Sequence, residues 1–187
     1  MKDKKAFFIF VLVFVLLLGG AAILYRQLGQ SLAPEQLVTQ PTQPEGETVQ
    51  KIKAPDFTVY DKSGKEIHLS DYAGKPIVLN FWASWCGPCK MEMPDFHEKY
   101  LSLGDEVQFL MINMTTGRET IESASSFIAQ NGYRFPVFYD LKSDAALTYG
   151  AYSLPTTFFI DADGYAIAQV TGAIDAQTLQ KGIDMIH

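Results

Sequence analysis

The chain has 187 residues, 48% of them hydrophobic, with 21 Asp and Glu against 15 Lys and Arg and a net charge of −6. This length allows one domain plus extensions, and such a domain builds a core without covalent staples. The acidic balance argues against nucleic acid as a partner, and two cysteines are too few for a disulfide framework, so the pair is free for chemistry.

The N-terminus opens with a basic head, residues 1–5, containing Lys2, Lys4 and Lys5. Residues 6–25 then carry no charge, and Arg26 closes the run. At about 1.5 Å per helical residue, such a stretch spans a hydrocarbon core of roughly 30 Å. The lysines before it set the N-terminus in the cytoplasm and the rest of the chain outside. We read residues 6–25 as a transmembrane signal-anchor. The alternative is a cleaved signal peptide, for which Ala22 and Ala33 offer small-residue sites, although the apolar run is long for one. No cysteine lies near the end of the span to accept a lipid, which excludes a lipoprotein. Residues 26–50, rich in Gln, Pro, Thr and Glu, read as a flexible linker. The folded domain is expected over 51–187.

Within it, Phe57–Tyr60 and Glu66–Leu69 flank the turn-forming Asp61–Lys65 and predict a hairpin. A short turn over Ser70–Pro76 leads to Ile77–Trp82, an apolar run that reads as a buried central strand. The helix expected over about Pro88–Leu103 contains Pro94, a kink signal. Val107–Asn113 is a second apolar strand. Glu119–Gln130 reads as a helix burying Ile121, Phe127 and Ile128. A short strand at Phe135–Phe138 and a short helix at Ser143–Thr148 follow. Thr156–Ile160 and Ala166–Val170 form a second hairpin across the turn at Asp161–Gly164, and Asp175 caps a last helix to about Met185. This order predicts an α/β fold, a mixed sheet with helices on both faces.

The only two cysteines, Cys86 and Cys89, are spaced Cys-x-x-Cys where the central strand hands over to a helix. A thiolate is favoured there by unpaired N–H groups and the helix dipole, and a second thiol within reach makes a thiol–disulfide exchange centre. Cys86, closer to the helix start and to solvent, reads as the nucleophile, and Cys89 as the resolving thiol. A zinc half-site lacks further ligands at suitable spacing, and a structural disulfide over so short a loop constrains little. The two Asp-containing turns are too short for calcium loops. We therefore expect no metal and no cofactor.

The stretch Phe81-Trp82-Ala83-Ser84-Trp85-Cys86-Gly87-Pro88-Cys89-Lys90 resembles a thioredoxin active site. With Leu69–Pro76 before it, Glu92-Met93-Pro94 after it and Leu154–Asp161 downstream, the chain is similar to the TlpA/ResA-like, membrane-anchored thiol–disulfide oxidoreductases over about 54–187. The resemblance implies a thioredoxin fold with an N-terminal hairpin and a strand–helix insertion near 114–138. It also implies a cis bond before Pro155, presenting the backbone of Leu154 to a client. Asn80 stands where thioredoxin has a buried aspartate, and Glu92 holds the position of a candidate replacement.

Glu92 lies three residues after Cys89 on the same helix face. It reads either as a partly buried carboxyl serving Cys89 or as an exposed first-turn glutamate favoured by the dipole. Trp82 reads as core and Trp85 as a neighbour of the cysteines or a client contact. His97 reads as a surface residue, and Arg118 either as a partner contact or as part of a solvated loop. The Gly-Pro dipeptide matches thioredoxin, a reductant near about −270 mV, rather than DsbA, an oxidant near about −120 mV. The resemblance thus implies a reductase of client proteins outside the membrane, fed by a CcdA-like membrane electron donor, with apocytochrome c or oxidised surface proteins as clients. The alternatives are a thiol oxidase for secreted proteins and a non-catalytic thioredoxin-fold binding module. The intact mass of the membrane-extracted protein is expected to include residues 1–25, and a start after Ala22 or Ala33 would establish cleavage instead.

Overall fold

The computed structural model describes residues 52–187 together with the two-residue strand Val38–Thr39. The basic head, the anchor and the rest of the linker lie outside the described residues. Among the described residues no helix is long and apolar enough to cross a membrane.

The strands are β1 (Val38–Thr39), β2 (Ile52–Lys53), β3 (Thr58–Tyr60), β4 (Glu66–His68), β5 (Ile77–Trp82), β6 (Gln108–Asn113), β7 (Val137–Tyr139), β8 (Thr156–Ile160) and β9 (Tyr165–Thr171). The helices are α1 (Gly87–Leu103), α2 (Ile121–Asn131), α3 (Asp144–Tyr149) and α4 (Ala176–Asp184), with a 3₁₀ turn at Leu69–Tyr72. One mixed sheet runs in the order β1-β9-β8-β5-β6-β7-β3-β4, and β2 also pairs with β9. β5 is parallel to β6, with Leu79 opposite Leu110, and antiparallel to β8, with Asn80 opposite Thr157. This is the mixed α/β sheet expected from the element order, in the thioredoxin-like arrangement that the resemblance implied.

All six residues of β5 are buried, because helices cover both faces of the sheet. Side chains alternate between the faces. Val78 and Trp82 enter one core with Met93 and Phe96 of α1 and Leu179 and Ile183 of α4. Ile77, Leu79 and Phe81 enter the other with Leu69, Leu110, Ala145 and Phe158. Asn80 shares the face of Val78 and Trp82, which turns its amide toward α1.

The insertion consists of the loop after β6, α2 and β7. β7 runs parallel to β6 and carries the β3–β4 hairpin on its far side, through Tyr60 opposite Tyr139. α2 begins at Ile121 rather than Glu119, because Thr120 is the cap. Its hydroxyl accepts from the Ser123 N–H at 3.1 Å, and the Ser123 hydroxyl accepts from the Thr120 N–H at 2.9 Å. Ile121, Phe127 and Ile128 pack against the core as expected, around fully buried Ala124.

Phe135 precedes β7 instead of belonging to it. It stacks on Tyr133 with ring centroids 5.2 Å apart and packs against His97 at 6.0 Å. His97 is therefore not a surface residue. It is half-buried between Tyr133 and Phe135, because the insertion folds back over α1. α1 itself continues through Pro94 to Leu103. Asp175 caps α4 as expected, accepting from the Thr178 N–H at 2.8 Å.

α4 lies against the sheet at Gly182, where a methyl group would collide with the ring of Phe159. Alanine gains about 1 kcal/mol over glycine in a helix, whereas overpacking a core costs about 1–3 kcal/mol. Gly182→Ala is therefore expected to lower the urea midpoint with little change in slope.

Candidate active site

β5 ends at Trp82, and the chain turns through Ala83–Cys86, closed by the Cys86 N–H donating to the Ala83 carbonyl at 3.1 Å. Cys86 is the N-cap of α1 and Pro88 lies in its first turn, where a missing N–H costs nothing. Cys86 and Cys89 form a disulfide with Cα atoms 5.3 Å apart. The Cys86 sulfur accepts from the Cys89 N–H at 3.2 Å. A sulfur held in that position is one that the helix N-terminus stabilises as thiolate once the bond is reduced.

Cys89 is fully buried, and Cys86 is only 4% exposed in the disulfide form, less than its expected role as the exposed thiol suggested. Cys86 is nonetheless the cysteine that borders a cleft of about 570 Å³, whose walls include Trp85, Met114, Arg118, Tyr152 and Leu154. Trp82 is entirely buried and Trp85 is 45% exposed, as anticipated. The Leu154–Pro155 bond is cis, also as anticipated, and Leu154 lines the same cleft as Trp85 and Cys86.

Glu92 is buried rather than an exposed first-turn glutamate. The residue is 2% exposed. One carboxyl oxygen accepts from Asn80 Nδ2 at 2.8 Å and the other from the Ile174 N–H at 3.0 Å. Asn80 also donates to the Thr157 hydroxyl at 3.0 Å, which bridges β5, β8 and α1. Burial pushes the Glu92 pKa up to about 7, against the pull of the Ile174 and Asn80 donors, and nearby Asp95 adds to the rise. Asn80 thus carries no proton itself but holds the carboxyl that can. Cys89 and Glu92 occupy the same buried face of α1.

Two neighbours of the cysteines have contacts that the sequence reading did not foresee. Arg118 is not merely solvated loop, since its guanidinium sits 4.3 Å from the Trp85 ring centroid on the cleft wall. Glu119 is 3% exposed and hydrogen-bonds Ser84. The Thr120–Ser123 capping pattern was the available signal that Glu119 lies outside the helix. Ile174, which contributes only its backbone, left no signal at all. Among the described residues no group of three or more His, Cys, Asp or Glu could hold a metal ion.

Residues 51–168 match the AhpC/TSA family. The chain is 38% identical over 137 residues to the thiol–disulfide oxidoreductase ResA of Bacillus thuringiensis subsp. konkukian, spanning 72% of this chain and 76% of that protein. Its fold is similar to that of StoA from Bacillus subtilis, with a TM-score of 0.61 and 27% identity, covering 70% of this chain and 97% of the other. It is likewise similar to the exposed lipoprotein thioredoxin Etrx1 of Streptococcus pneumoniae strain TIGR4, at TM-score 0.60 and 31% identity, covering 70% and 99%.

The raised pKa of Glu92 carries a stability consequence. The folded state binds this proton more tightly than the unfolded chain, whose carboxyl titrates at its ordinary value of 4.5. The resulting stabilisation is fully present below that value and is lost as pH rises through about 7. Urea denaturation of the oxidised protein is therefore expected to show stability falling across this window. Glu92→Gln should flatten the slope, by up to roughly 3 kcal/mol in total.

Proposed function

This chain belongs to the ResA-like thiol–disulfide oxidoreductases of the AhpC/TSA family, and on that premise we propose that it works outside the cytoplasm as a membrane-anchored reductant of client disulfides. The observation that carries the reading is the arrangement of three groups: Cys86 at the N-cap of α1 beside the cleft, Cys89 buried behind it, and the Glu92 carboxyl on the same buried face.

In the reduced protein the Cys86 thiolate attacks one sulfur of a client disulfide. A Cys86–client disulfide forms, and the client's first thiolate leaves and takes up a proton. Cys89 then gives its proton to the Glu92 carboxylate and attacks the Cys86 sulfur. The Cys86–Cys89 bond forms, the mixed disulfide breaks, and the client's second thiolate leaves. Two electrons pass to the client. A carboxyl titrating at about 7 suits this proton transfer near neutral pH. Trp85 and Leu154, which both line the cleft, are the groups that a client segment would meet.

The Gly87-Pro88 dipeptide supports the reducing direction. Reduction outside the cytoplasm requires a membrane source of electrons, for which a CcdA-like thiol carrier is the fitting donor, and residues 6–25 would keep the domain beside it. Apocytochrome c cysteines awaiting haem, or oxidised surface proteins, are the client classes that fit this reading.

The reduction potential is expected below about −200 mV, and a value well above it would instead make the protein an oxidant. Cys86→Ser should abolish reduction of a small disulfide. Cys89→Ser should accumulate mixed disulfides whose client mass spectrometry identifies. Activity surviving in Cys86→Ser would overturn the assignment of roles.

A further inference from the structure

The loop between β6 and α2 delivers two adjacent side chains onto two adjacent residues of the turn that carries Cys86. Glu119 accepts three hydrogen bonds. Its Oε1 takes the Ser84 N–H at 3.0 Å and Asn113 Nδ2 at 3.1 Å, and its Oε2 takes the Ser84 hydroxyl at 2.9 Å. Arg118 covers the neighbouring Trp85 ring at 4.3 Å. Ser84 and Trp85 are the two central residues of the turn closed from Cys86 back to Ala83. Both are therefore gripped by the insertion, one through a buried carboxylate and the other through a cation over its ring.

Packing alone does not account for Glu119. A buried carboxylate is costly unless its oxygens are satisfied, and an apolar residue would fill the same space without that cost. Bonds to an ionised acceptor are roughly twice as strong as neutral ones and fix geometry closely. What they fix here is the segment immediately before the N-cap. The stabilisation of a thiolate by a helix N-terminus falls off within the first turn, so a small displacement of Cys86 changes its reactivity.

We propose that Arg118 and Glu119 are positioning residues that clamp the Ser84–Trp85 turn and thereby set the reactivity of the Cys86 thiolate. The proposal rests on the exchange chemistry assigned to the cysteine pair. It gives the strand–helix insertion a role in tuning the nucleophile in addition to widening the sheet. The charged and titratable groups around Cys86 are Arg118 and Tyr152 on the cleft wall, Cys89, Lys90 and Glu92 on α1, and Glu119 behind the turn.

The test is the alkylation rate of Cys86 by iodoacetamide in the reduced full-length chain, followed by mass spectrometry across pH. Glu119→Ala is expected to slow alkylation at pH 7 by about five-fold or more and to move its midpoint upward. Loss of a nearby negative charge alone would move the midpoint down, so an upward shift reports geometry. Glu119→Gln removes the charge but still accepts from the Ser84 N–H, so it should show no upward shift. Arg118→Ala should also raise the midpoint, and the shift should persist in about 1 M salt, where screening extends only about 3 Å.

An unchanged profile in a folded Glu119→Ala protein overturns the proposal, as does an equal upward shift in Glu119→Gln. A salt-erased effect in Arg118→Ala removes Arg118 from the clamp. Should Glu119→Ala fail to fold, Ser84→Ala decides, with a smaller upward shift expected and an unchanged profile refuting. The parent protein's reduction of a small disulfide is measured alongside. Its absence would sink the exchange reading, whereas its presence with an unshifted Glu119→Ala profile sinks only the clamp.

Discussion

β5 has no face toward solvent and no free edge. Both of its faces are covered by helices, and its backbone is paired with β6 on one side and β8 on the other. The chain can leave such a strand only at its end, and here it does so in a four-residue turn that becomes the N-terminus of α1. The two sulfurs are therefore built on a rigid strand and the start of a long helix. The constraint is chemical as well as mechanical, because the same junction provides the unpaired N–H groups that favour a thiolate. Nearly everything else near the site acts to hold that junction or to border the space in front of it.

Two buried carboxyl groups lie close to the junction and are treated differently by the fold. Glu92 sits beneath the cysteines with two hydrogen-bond donors, and burial outweighs them, so its proton is held to about neutral pH. Glu119 sits behind the turn with three donors, two of them from Ser84. The first arrangement leaves a carboxyl able to exchange a proton, and the second suits a fixed anchor. Asn80 shows how a substitution on the central strand is accommodated. Its amide occupies a buried position on β5 and bonds both Glu92 and Thr157.

The cleft in front of Cys86 is assembled from separate parts of the chain. Trp85 comes from the turn, Met114 and Arg118 from the loop after β6, and Tyr152 and Leu154 from the segment before β8. Tyr152 is 79% exposed and Trp85 45%, so the rim presents aromatic surface to whatever enters. Membership of the ResA-like oxidoreductases accounts for the fold and the cysteine pair.

What the sequence determined by itself was local. The apolar run of β5, the Cys-x-x-Cys pair, the hairpin turns and the Asp175 cap are encoded by residues adjacent in the chain, so periodicity and turn chemistry sufficed to find them. The resemblance carried by the active-site stretch and by Leu154–Asp161 extended this to the thioredoxin fold and the cis bond before Pro155. Tertiary structure alone decided whether Glu92 was buried, because one of its partners, Ile174, lies 82 residues away and contributes only a backbone N–H. The same holds for the bond from Ser84 to Glu119, 35 residues on, for Arg118 over Trp85, and for His97 beneath Tyr133 and Phe135. Burial and hydrogen bonding between distant segments depend on how sheet and helices pack, and side-chain type and spacing along the chain do not encode them singly.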